Sequence, residues 1–246
     1  MPFWIKAMLL GLFAGVLGTA CGGLLSFLLW RPRKKLLSLI LGFSAGIMLV
    51  IVFMELLSES VTIGGLWLGL IGLATGILLL YLLDIYFPHQ HYISEEGKKN
   101  RLRQAGVLLC IGIALHNVPE GLAIGSSYYA DVDFGLGMAI IMALHNIPEG
   151  IAMATTMKMG GIRNSIILLA TILAGLPMAF GGMVGALIGS ISSTFLSLSL
   201  AFAGGAMLYI VCDELIPDAH DLSEGHSATL GIVFGVIIGM FILSIQ

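Results

Sequence analysis

The chain has 246 residues, 58% of them hydrophobic and 10% charged, with a formal net charge of −3. Average soluble domains carry about a quarter charged residues, and one core of this size does not hide so much apolar surface. A water-soluble globule is therefore excluded, lipid is the solvent for most of the chain, and with no basic face or aromatic–basic interleaving there is no nucleic-acid partner.

Eight apolar segments follow in chain order, at residues 7–30, 36–56, 62–83, 105–129, 135–158, 165–189, 194–216 and 227–245. Most reach the roughly 20 residues that span a bilayer. Backbone polar groups find no water in hydrocarbon, so only helices or a closed barrel satisfy them. Barrel strands alternate over about ten residues, and these runs are continuous. The expectation is one polytopic all-α transmembrane domain over residues 1–246 with eight helices. The first segment is too long for a secretory signal core and is read as a retained helix.

Lysine and arginine set the orientation. With the N-terminus outside, the inner loops hold Arg31, Arg33, Lys34, Lys35, Lys98, Lys99, Arg101, Arg103, Lys158 and Arg163, leaving only Lys6 outside. Ten of eleven basic residues on one side fits the positive-inside bias and puts both termini outside. The one long polar connection, residues 84–104, then lies in the cytoplasm and carries His89 and His91. At i, i+2 these two hold a metal loosely or are simply solvated. Glycines at i, i+4, among them Gly11/Gly15, Gly65/Gly69, Gly72/Gly76, Gly181/Gly185/Gly189 and Gly231/Gly235/Gly239, clear side chains from one helix stripe so that a neighbour approaches closely. Cys21, Cys110 and Cys212 are isolated in apolar segments and form no metal-binding or disulfide pattern.

The strongest signal is a repeated hexad. The fourth segment contains His116-Asn117-Val118-Pro119-Glu120-Gly121, and the fifth contains His145-Asn146-Ile147-Pro148-Glu149-Gly150, 29 residues on. Each lies near the middle of its helix, where one charged group costs about 3 kcal/mol even on the mildest scale. His116 and Glu120 share a helix face at i, i+4, as do His145 and Glu149, with Asn117 and Asn146 nearby. If the two faces meet, two imidazoles and two carboxylates converge at one depth. Such mixed nitrogen and oxygen donors suit zinc, iron(II), cobalt or manganese. The bland reading is a polar cluster tying two helices, which does not need the same hexad twice. Each proline removes a helix donor and frees a carbonyl four residues back, at Leu115 and Leu144. Towards the helix ends, Glu55 and Glu59 on the second helix and Asp213 and Glu214 on the seventh mark an entrance or an exit, or solvated helix ends.

These features together resemble the ZIP (Zrt/Irt-like) divalent metal transporter family, in its bacterial GufA-like branch, over essentially the whole chain. The paired hexads are specific to that family, and Asp213-Glu214-Leu215-Ile216-Pro217 resembles its seventh helix. The resemblance implies two inverted three-helix repeats around helices four and five. It implies a mid-membrane site with His116, Glu120, His145 and Glu149 as zinc ligands, and Asn117 and Asn146 with both glutamates around a second ion. Met48 matches a methionine that contributes in some members. One position departs from the pattern. In Gly175-Leu176-Pro177-Met178 a methionine stands where related sequences place a glutamate, so a second ion loses a carboxylate.

The reading that follows is not an enzyme and carries no resident cofactor. It is a bacterial inner-membrane carrier of divalent metal, zinc ahead of iron, manganese, cobalt and cadmium, working inward by alternating access. Its glycine-rich faces allow a homodimer. A membrane metal hydrolase and a metal sensor without flux are the competing classes.

Overall fold

A computed structural model describes residues 1–28, 33–86 and 98–244. No strand occurs among them. The described residues form eight helical rods: α1 (Phe3–Leu28), α2 (Lys34–Gly64), α3 (Leu66–Tyr86), α4 (Lys98–Ala130), α5 (Val132–Met159), α6 (Asn164–Gly189), α7 (Ser193–Leu222) and α8 (Ser227–Leu243). The eight predicted helices are all present, mostly with longer ends. Five of them, α1, α2, α5, α6 and α7, are long and apolar enough to cross a membrane. Residues 84–86 and 98–104 of the expected loop belong to α3 and α4, while His89 and His91 lie outside the described residues.

Helices α4 and α5 form the centre, running antiparallel. Helices α1 and α6 cover one side of this pair, with α1 against α5 and α6 against α4. Helices α2 and α7 cover the other side, α2 touching α5 and α7 touching α4, and α8 and α3 lie outermost against α2 and α7. The outer faces are apolar. Trp67, Phe13, Phe180, Phe234 and Phe241 are each more than half exposed, as lipid-facing side chains must be, because nothing is gained by hiding them from hydrocarbon.

The glycine stripes set the closeness of these pairings. A Cβ on Gly22 would strike the Ile147 carbonyl of α5, and one on Gly181 would strike the Val118 carbonyl of α4. The same holds for Gly46 against Ile232 of α8 and Gly76 against Phe202 of α7. In lipid there is no hydrophobic drive between helices, so this backbone proximity and its dispersion contacts supply association. One expected pair is corrected. Gly65 lies between α2 and α3 at φ +82°, a left-handed value that favours glycine; it makes the turn instead of lining a helix with Gly69.

Three helices depart from regular α geometry. α6 is broken at Gly175-Leu176-Pro177, because Pro177 has no N–H for the carbonyl of Leu173; the Leu176 N–H bonds that carbonyl instead, at 3.3 Å. α2 and α7 each contain a π turn, at Ile51–Leu56 and Val211–Leu215. There the N–H of Leu57 reaches back five residues to Val52, and that of Ile216 reaches back five to Val211. One extra residue in a turn rotates everything beyond it by roughly 100°. Pro119 and Pro148, by contrast, lie inside continuous helices.

Candidate metal centre

The two hexads face each other where α4 crosses α5, and they are sealed from outside. Glu120, His145, Asn117 and Asn146 are fully buried, Glu149 is 1% exposed and His116 4%. Leaving a carboxylate unpaired in such a place is costly, so the partners decide what the cluster is for.

His145 Nε2 lies 3.0 Å from Glu120 Oε1 and 4.0 Å from Glu149 Oε1. One donor atom from each of Glu120, His145 and Glu149 falls within 4.8 Å of the others. Ligand atoms about 2.0–2.2 Å from a tetrahedral zinc sit roughly 3.4 Å apart, so small rotamer changes bring these three to bonding distance. Both oxygens of Glu149, Oε2 of Glu120 and Oδ1 of Asn146 are buried with no hydrogen-bond partner. A cluster evolved only to glue helices would satisfy those atoms among themselves. An oxygen-rich, thiolate-free donor set with unpartnered lone pairs is what a divalent cation uses.

The fourth predicted ligand is placed differently. His116 Nε2 turns to Oε2 of Glu214 on α7, at 2.9 Å. Three of the four hexad groups thus meet as expected, and His116 joins them through a carboxylate from another helix. Glu214, expected only at an entrance or exit, is drawn into the centre by the π turn, which rotates it inward from a helix that continues to Leu222. The π turn itself has no sequence signature. Asp213, its neighbour, is exposed.

The asparagines are asymmetric too. Asn117 Nδ2 donates to the Ala174 carbonyl at 2.7 Å, at the break in α6, and Asn146 Nδ2 reaches Asn117 Oδ1 at 3.4 Å. Asn117 is therefore held by the broken helix, an anchor invisible in the hexad itself. On α2, the Ser44 hydroxyl donates to the His145 carbonyl at 3.3 Å. Met48, one turn further on that helix, is fully buried, as is Met178 after the α6 break. Glu55 and Glu59 are half-buried further along α2.

A helical bundle with lipid-facing apolar sides around a buried carboxylate–imidazole centre defines an integral membrane protein. Sequence comparison makes this specific: the family described as ZIP Zinc transporter matches residues 88–245, and the chain belongs to that family. It is 33% identical to the zinc transporter ZupT of Escherichia fergusonii, covering 97% of this chain and 96% of that protein. It is 34% identical to ZupT of Chlorobium luteolum, covering 94% of each. The zinc transporter GufA of Myxococcus xanthus is 35% identical over 69% of this chain and 67% of its own.

Proposed function

We propose that this chain moves divalent transition-metal ions, zinc first, across the membrane into the cytoplasm. The observation that carries the proposal is the Glu120–His145–Glu149 triad, buried at the helix crossing with unpartnered carboxylate oxygens, in a chain of the ZIP family. In this reading Glu120, His145 and Glu149 hold the ion, His116 with Glu214 forms an adjoining station, and Asn117 and Asn146 orient the two hexads. Iron(II), manganese, cobalt and cadmium are the further candidate cargoes. Met178 leaves a second ion one carboxylate short, which favours one ion per cycle.

The motion is alternating access, with α1–α3 and α6–α8 as two inverted groups around α4 and α5. The protein is a carrier and not an enzyme, sits in the bacterial inner membrane with both termini outside, and pairs as a homodimer through lipid-facing sides. Met48 lies along the path, Glu55 and Glu59 at the outer end and Asp213 at the inner.

The test is metal flux into sealed proteoliposomes, with zinc, iron(II), manganese and cadmium measured separately. Saturable uptake is the expected result. Zinc binding without uptake in folded, inserted protein would overturn transport and leave a sensor.

A further inference from the structure

Helices α2 and α7 are copies of one another. Offset by 159, residues 37–56 match residues 196–215 at 12 of 20 positions, including Gly46/Gly205, Met48/Met207, Ile51/Ile210, Val52/Val211, Glu55/Glu214 and Leu56/Leu215. The structure carries the same correspondence. The five-residue hydrogen bond of α2, Leu57 to Val52, falls on that of α7, Ile216 to Val211. In α7 a proline follows the turn, but α2 has Ser58 at the matching place, so the π turn does not depend on proline. Packing repeats as well: Gly76 of α3 meets the Phe202 carbonyl of α7, and Gly235 of α8 meets the Phe43 carbonyl of α2, again 159 apart. The Ser197 hydroxyl bonds Ser60 at 3.0 Å; the mate of Ser60 is Ala219, and the mate of Ser197, Ser38, has a buried hydroxyl with no partner.

Because α3 runs parallel to α7 and antiparallel to α2, the copies are inverted with respect to each other. The operation that exchanges them also exchanges the two hexads, taking His116 to His145. It takes the observed His116–Glu214 contact to a contact between His145 and Glu55. That second contact is absent here, where the ion pairs of His145 are with Glu120 and Glu149. Glu55 is half-buried on the α2 side of the centre, inside a π turn that matches the one holding Glu214.

An inverted repeat exposes its central site to opposite sides by exchanging the conformations of its two halves. We propose that Glu55 is a cargo-handling residue: in the state open to the other side it docks on His145, while Glu214 withdraws from His116. One carboxylate then hands the ion in and the other hands it out, so the loading station and the release station are chemically alike. This rests on the transport reading given above.

Mercury bridging between cysteine pairs tests the pairing without needing flux. In a chain with Cys21, Cys110 and Cys212 replaced by alanine, Glu55→Cys with His145→Cys should be bridged by mercuric ion, detected as one bound mercury and protection from alkylation. Glu214→Cys with His116→Cys should bridge as the reference, and Glu55→Cys with His116→Cys should stay free. All pairs are first shown to elute as monodisperse protein. In proteoliposomes, Glu55→Gln should lower zinc uptake about tenfold, the scale of losing a supporting metal contact, and Glu55→Asp should restore most of it. A 55–145 pair that stays unbridged where 214–116 bridges overturns the proposal, and so does wild-type uptake in Glu55→Gln. A wild type without uptake would instead sink the transport reading, and the mercury result would still decide the pairing.

Discussion

The two hexads differ at a single position, Val118 against Ile147, yet they occupy different chemical situations. The α5 copy sits inside a triad, with His145 3.0 Å from Glu120 and Glu149 beside it. The α4 copy is drawn outward: His116 pairs with Glu214 of α7, and Asn117 is tied to the α6 break. Equal sequences are made unequal by their neighbours.

The comparison can be broken most severely at Glu149. Glu149→Ala removes the carboxylate whose two oxygens are unpartnered and should abolish saturable zinc uptake, a loss of roughly a hundredfold or more, since even supporting contacts cost 10–100-fold. Uptake within a few-fold of wild type would mean the triad is not the site. The histidines sharpen the contrast. His145→Ala should weaken zinc binding roughly tenfold more than His116→Ala, read by titration calorimetry in detergent; equal losses would show that the two hexads act as equals. Glu214→Gln keeps shape and removes charge, and should slow uptake about tenfold while zinc binding at the triad changes less. The smallest effect belongs to the anchor. Asn117→Ala leaves the Ala174 carbonyl buried without a donor, worth about 1–3 kcal/mol, and should lower the thermal midpoint more than Asn146→Ala does. Equal midpoints would mean that the α6 break holds itself.

Much of this was legible in the chain. Hydropathy located eight helices because in lipid the backbone must bond to itself, and the hexads identified the crossing because repeated carboxylates in apolar helices have few other uses. What was not legible depends on geometry that single residues do not encode. Glu214 read as an end-of-helix acid, since a π turn rotates it by an amount no local pattern announces. Gly65 read as packing because its spacing to Gly69 mimics a helical stripe, whereas the chain needed its positive φ for a turn. A second task of Asn117 was hidden as well: its amide nitrogen holds the carbonyl that Gly175-Leu176-Pro177 exposes, a partner 57 residues away.

The glycine seams have an electrical consequence. Where Gly22 meets Ile147, Gly181 meets Val118, Gly46 meets Ile232 and Gly76 meets Phe202, there is not space for a methyl group, and so none for a water molecule. A proton wire runs through water, hydroxyls or titratable side chains, and at these four contacts backbone fills the space one would need. Across a membrane each elementary charge is driven by about 2.3 kcal/mol per 100 mV, so a protein that opens a polar cavity at mid-depth risks short-circuiting the cell. At these points the bare backbone contacts act as insulation.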